Sequence, residues 1–213
     1  MVGVKLYVEG GGDTNQLKTA CRKGFSTFLR KAGLVDTMPR IVACGSRQDA
    51  YDSFCIALEN GNSAMLLVDS EAPVSAECMQ EEPESWKPWQ HLRNRPGDCW
   101  KKPAKASEQE CHLMVQCMET WFLTDRASLQ EFFGQGFHLK SLPAEGNQIE
   151  SIAKEIVYKS LKKATKSSTS KGEYGKGDHS FQILEMIDPL NVMKASPWAK
   201  RFIDEIVKRK SIN

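Results

Sequence analysis

Four carboxylates stand just beyond short apolar runs of this 213-residue chain. Glu9 closes "VKLYVE" (4–9), Asp69 and Glu71 follow "AMLLV" (64–68), and Glu119 comes soon after "HLMVQ" (112–116). A single acid in such a place is ordinarily where a loop begins. Acids from several strands that share one address can grip a cation. Mg2+ and Mn2+ are hard ions that take oxygen ligands, with Mg2+ commonly held by one or two carboxylates plus waters and substrate phosphates. Pairs of such ions about 3.5 to 4 Å apart cleave phosphodiesters. Asp69 and Glu71 are two residues apart, so an extended backbone would turn both to one side. Glu9, Asp69, Glu71 and Glu119 are therefore the candidate metal ligands.

Other residues fit around that chemistry. A lysine could stabilise charge on a scissile phosphate or its leaving oxygen, and a histidine titrates near neutral pH and could serve as general acid. Lys171, Lys176 and His179, in the polar Gly/Ser-rich stretch "KKATKSSTSKGEYGKGDHS" (162–180), are the candidates. That stretch is expected to be flexible. Seven lysines fall between Lys154 and Lys176 against only Glu155 and Glu173, which makes a phosphate-contacting patch or a solvated face. Gly10, Gly11 and Gly12 allow close backbone approach to a phosphate, although no Gly-Lys-Ser/Thr follows and the run is no P-loop. Trp86, Trp89 and Trp100 interleave with basic residues between 72 and 110, a mix that either stacks bases or packs on the core. Asp125 is expected to cap the short helix "RASLQEFF" (126–133), which Gly134 stops.

The elements that must position the acids follow from periodicity. Residues 4–8 and "RIVACG" (40–45) have strand composition, and "AMLLV" is continuously apolar, as in a strand buried on both faces. Between them, Leu17, Cys21, Phe25, Phe28 and Leu29 recur at helical spacing after Asp13 and Thr14, either of which can cap. Ser46 and Asp49 form a capping-box pattern opening a helix that Gly61 ends. Strand, helix, strand, helix, strand implies an α/β fold with a central parallel sheet flanked by helices. Ligands of such sheets sit at the carboxyl ends of the strands, where the acids lie. Residues 1–140 are expected to form this α/β domain. Residues 141–213 are expected to form a helical C-terminal extension packed on it, with an apolar stripe from Ile149 through Ile152, Ala153, Ile156 and Val157 to Leu161, and a last helix after Ser196-Pro197.

Composition narrows the rest. A formal net charge of +2 leaves no uniformly basic surface, so nucleic acid would have to meet a local patch. Seven cysteines without zinc spacing indicate reduced thiols. Four dispersed histidines without HExxH argue against zinc hydrolysis. No apolar run nears the roughly 20 residues of a bilayer span, and the amino terminus lacks the pattern of a signal peptide. A cytoplasmic setting without membrane contact is expected.

The order of these motifs resembles the Toprim domain of topoisomerases, primases and overcoming-lysogenization-defect-type nucleases. That family has a glutamate after its first strand, matched by Glu9 in "YVEGGGDT" (7–14), and an Asp-x-Asp element after a later strand, matched by "VDSE" (68–71). The chain is more closely similar to a small Toprim-like branch that accompanies ATPases in bacterial defence loci. The branch's pieces "VEG", "LVD" and "MEtWfLtD" occur at Val8–Gly10, Leu67–Asp69 and Met118–Asp125. The likeness spans residues 4–135 and weakens in "YGKGDHSFQIL" (174–184) and "SPWAKRFIDEI" (196–206). It departs at Glu71, one methylene longer than the family's aspartate. The resemblance implies a Toprim-like sheet and a Mg2+-dependent nuclease, with Mn2+ as the substitute ion, acting on DNA or RNA as an antiviral-defence effector with a partner ATPase. It implies metal ligation by Asp69 and Glu71, a ligand or acid/base role for Glu9, and a site completed by Glu119. The alternative is a non-catalytic Toprim-like module that docks on an ATPase. Phosphohydrolysis of a small molecule is a third class, for which no nucleotide cradle is present.

Overall fold

The computed structural model describes residues 3–80, 82–146 and 148–210. Four parallel strands, β1 (Lys5–Gly11), β2 (Arg40–Gly45), β3 (Ala64–Asp69) and β4 (Cys111–Met114), form one sheet in the order β2-β1-β3-β4. Side chains alternate across a strand, and the two faces feed two cores. Leu6, Val8, Met65 and Leu67 pack on one side with Phe25, Phe28 and Leu29 of α1 (Asn15–Lys31). Tyr7, Leu66 and Val68 pack on the other with Ala50, Phe54 and Leu58 of α2 (Arg47–Glu59). Every residue of β3 is buried, as its unbroken apolar run implies.

The local signals act as their chemistry predicts. The Thr14 side chain accepts from the Leu17 N–H to cap α1. Ser46 and Asp49 close a full capping box on α2. The first strand runs farther than expected, into the glycines, because Gly10 and Gly11 both pair with Gly45 across a bulge. Gly11 has φ of 88°, and a Cβ there would stand 2.9 Å from Lys18 Cα, so α1 can cross the strand end only over glycine.

The long excursion after β3 is built into the second core. It contains the short helix α3 (Pro88–Asn94), and Trp86, Trp89 and Trp100 are all buried. Trp86 packs on Trp198, Trp89 on Phe54, and Trp100 stacks on Tyr51 with ring centroids 4.5 Å apart. The tryptophans thus belong to the core and present no base-stacking platform.

After β4 come α4 (Glu119–Phe122), α5 (Arg126–Phe133), α6 (Lys154–Thr165), α7 (Lys176–Met186), α8 (Pro189–Ala195) and α9 (Pro197–Lys210). Asp125 caps α5 through the Ser128 N–H, and Gly134 ends it at φ of 61°. The apolar stripe from Ile149 is only partly helical. Ile152 and Ala153 are extended, so α6 begins at Lys154, and Ile156 is left 54% exposed. The polar stretch expected to be flexible is anchored by hydroxyls. Ser168 and Ser170 donate to Phe133 O, Thr165 Oγ1 accepts from the Tyr174 N–H, and α7 starts within the stretch. Side chains of α6, α7 and α9 share the core that covers α1. Among the described residues no helix is long and apolar enough to cross a membrane.

Candidate metal centre

Three of the four acids meet. Glu9 near the end of β1, Asp69 at the end of β3 and Glu71 two residues beyond bring one carboxylate oxygen each to within 4.8 Å of one another. β1 and β3 are hydrogen-bonded neighbours, so their carboxyl ends are adjacent, and the topology alone places Glu9 beside Asp69. Glu71 reaches the group from a left-handed backbone with φ of 63°, a conformation uncommon for a side chain of its size.

Each member of the trio has one oxygen held by the protein. Glu9 Oε2 accepts from the Asp69 N–H at 3.2 Å and from Arg47 Nη1 at 3.0 Å. Asp69 Oδ1 accepts from the Met118 N–H at 2.9 Å. Glu71 Oε1 accepts from Lys154 Nζ at 2.5 Å. Glu9 Oε1, Asp69 Oδ2 and Glu71 Oε2 receive no hydrogen bond from a described residue. Asp69 Oδ2 has only the longer ion pairs to Lys154 at 3.5 Å and Lys176 at 3.9 Å, and Glu71 Oε2 has Arg95 at 4.0 Å. Fixing one oxygen and leaving the other is how outer groups orient metal-binding carboxylates.

Cationic side chains surround the acids, and sequence reasoning missed most of them. Arg47, the first residue of α2, donates to Glu9, to the carbonyl of Asp69, and in bidentate fashion to Asp98. Arg95 also binds Asp98. The signal for Arg47 was present in its place two residues beyond β2, the same strand-end address that marked the acids. Lys154 sits in sequence at the head of the lysine run, far from the acids it meets. Of the named groups, Glu9, Asp69, Glu71, Asp98 and Glu119 oppose Arg47, Arg95, Lys154 and Lys176, leaving one negative charge over. Burial pushes Asp69 well above the usual carboxylate range, and the neighbouring Glu9 and Glu119 push the same way. Burial also raises Glu9, with Arg47 opposing. Burial disfavours the charged forms of Lys154 and Lys176, but Asp69 with Glu71 for the first, and Glu119 with Asp69 for the second, hold both above the ordinary lysine value. The donor set is all oxygen, crowded and short of positive charge, and it fits a hard divalent cation.

Glu119 lies outside the trio. It is wholly buried at the start of α4, with Oε1 accepting from Tyr174 Oη at 3.0 Å and Ser180 Oγ at 3.1 Å, and Oε2 from Tyr158 Oη at 2.9 Å. Both oxygens are thereby engaged. Of the basic candidates, Lys176 reaches the acids. Lys171 lies over the Phe132 ring instead, 4.7 Å from its centroid. His179 Nδ1 accepts from the Gly175 N–H, its ring is packed between Phe132 and Phe133, and burial lowers its pKa. That is a packing role at the start of α7. Lys159, Lys162, Lys163, Lys166 and Lys171 are exposed and form no ion pair with a described residue.

Beside the trio opens a cleft of about 310 Å³, lined by the charged Glu9, Asp69 and Lys176 together with the apolar Leu17, Met114, Met118 and Phe181. Gly10, Gly11 and Gly12 line it too, although contact with α1 and α7 already accounts for the first two, since a Cβ at Gly10 would meet Phe181 at 3.1 Å.

No curated protein and no solved structure matches the chain. A family model described as a domain of unknown function matches residues 8–207, nearly the whole chain, and the protein belongs to that family, DUF4276.

Proposed function

We propose that the protein is a Mg2+-dependent phosphodiesterase acting on nucleic acid, a nuclease of Toprim type. The observation that supports this reading is the convergence of Glu9, Asp69 and Glu71 within 4.8 Å at the carboxyl ends of β1 and β3. An ion bound there would polarise a phosphoryl oxygen and lower the pKa of a bound water. Glu9, Asp69 and Glu71 would hold it, each through one carboxylate oxygen. Arg47 and the Met118 N–H keep Glu9 and Asp69 oriented. The Lys176 side chain is 54% exposed at the cleft and is placed to pair with a substrate phosphate while its ammonium faces Asp69. Glu119, both of whose oxygens accept from hydroxyls, serves in this reading as a supporting charge and not as a ligand. Service as a defence effector alongside an ATPase belongs to the same proposal and rests on the motif resemblance alone.

One observation favours a second reading. Lys154 spans Asp69 and Glu71, as it would in an ion network that neutralises itself within a non-catalytic module docked on an ATPase. Incubating plasmid and single-stranded substrates with magnesium or manganese decides between the two. Cleavage by the wild type that Asp69→Ala abolishes supports the phosphodiesterase. Equal cleavage by both proteins, or none by either, removes it.

A further inference from the structure

The cleft beside the acids joins two kinds of surface. Its lining includes the charged Glu9, Asp69 and Lys176 and the apolar Leu17, Met118 and Phe181. Phosphate and sugar alone would have no use for the apolar lining, because protein contacts to them are hydrogen bonds and ion pairs. A nucleobase would use it, since every base offers a flat face that stacks on aromatic and apolar side chains. At about 310 Å³ the cleft falls at the lower end of the roughly 300 to 1,000 Å³ usual for small-ligand sites. Such a cleft accommodates a single nucleotide but not a paired, stacked base, which must leave its duplex to enter a pocket of this kind. Resting on the phosphodiesterase reading, we infer that the cleft takes one unpaired nucleotide of a strand. The base lies toward Phe181 and its phosphate toward Lys176 and the acids, so the substrate is single-stranded where it meets the enzyme.

Gly177 provides the test. It is exposed, the second residue of α7, and a Cβ built there makes an ordinary van der Waals contact with Leu17 Cδ2 at 3.9 Å, at the cleft wall. Gly177→Leu sets a bulky apolar side chain at the cleft wall, where the Cβ itself meets no clash, and replacing a helical glycine leaves stability unchanged or higher. Gly177→Ala adds one methyl and serves as the folding control. Binding is read by fluorescence anisotropy in EDTA, with labelled oligothymidylate against a hairpin duplex of equal length and thymidine monophosphate as competitor. The wild type and Gly177→Ala are expected to bind the single strand more tightly than the duplex. Gly177→Leu is expected to lose about tenfold or more of the single-strand affinity, the scale of one lost stacking contact, while its duplex affinity and manganese binding stay unchanged and its thermal midpoint does not fall. Equal affinity of the wild type for both substrates, undiminished single-strand binding by Gly177→Leu, or a mononucleotide that binds as tightly as the strand would overturn the inference. Single-strand preference without any cleavage would instead sink the phosphodiesterase reading and leave the cleft assignment standing.

Discussion

The Lys154 ammonium lies 2.5 Å from Glu71 Oε1, joining the start of α6 to the loop after β3 across 83 residues of sequence. The same nitrogen is 3.5 Å from Asp69 Oδ2, so one monovalent charge serves two acids. Both lysine and glutamate side chains keep about a sixth of their surface in solvent, and the pair is neither fully buried nor freely screened.

Replacing Lys154 by Met leaves the trio without its nearest cation. Breaking a fully buried pair costs about 3–5 kcal/mol, whereas an exposed one is worth about 0–1 kcal/mol. The partial exposure here sets the expected loss at about 1–2 kcal/mol, read by urea denaturation in EDTA. Manganese should restore more stability to Lys154→Met than it adds to the wild type, because it meets less competing positive charge. An unchanged response to manganese would show that Lys154 and the ion do not share a site.

Glu119 separates metal ligation from structural support. With both oxygens held by hydroxyls of Tyr158, Tyr174 and Ser180, its carboxylate is committed. Glu119→Gln is expected to bind manganese within about threefold of the wild type while losing about 1–2 kcal/mol of stability, because charge-assisted hydrogen bonds are weakened. A collapse of manganese affinity in a folded Glu119→Gln protein would return Glu119 to the ligand set.

His112 gives the fold a pH dependence of definite sign. It is fully buried in β4. Arg201 Nη1 can only donate, so the Nδ1 it meets at 3.2 Å must accept, and Nε2–H donates to Gln109 O at 3.0 Å. Burial holds its pKa well below the ordinary histidine value, and the Arg201 charge adds to that effect. The unfolded chain takes up this proton near pH 6.5 and the folded chain does not, so stability falls as pH drops below about 6.5, by up to about 1.4 kcal/mol per pH unit. Glu9 and Asp69, whose pKa values are raised, act in the opposite sense: their contribution is present at low pH and lost as pH rises through those raised values. The difference between wild type and His112→Asn, followed by urea denaturation from pH 7.5 to 5, isolates the histidine. The wild type should lose its advantage as the pH falls, and a flat difference would contradict the assignment.

What could be read from the sequence was what neighbouring residues decide. The strands, the Thr14 cap, the Ser46–Asp49 box and the Asp125 cap are settled within a few residues, and they correspond to the observed elements. The meeting of Glu9, Asp69 and Glu71 followed from placing each at a strand end in one parallel sheet. Partners fixed only by tertiary packing could not be read in this way. The hydroxyls around Glu119 come from residues 39, 55 and 61 positions away, and Lys154 is farther still from Glu71. The stretch from 162 to 180 misled because its anchors are serine and threonine hydroxyls on backbone groups, which leave no apolar period. His179 drew notice for its chemistry, while its surroundings are two phenylalanine rings.

The proposed chemistry requires Glu9, Asp69 and Glu71 to hold a divalent cation. Calorimetric titration of manganese into the metal-free protein at neutral pH tests it most directly, with Asp69→Asn as the comparison and the thermal midpoint confirming that both are folded. Saturable binding is expected of the wild type, and its loss is expected in Asp69→Asn. No heat with the wild type, or the same isotherm from the variant, would contradict it.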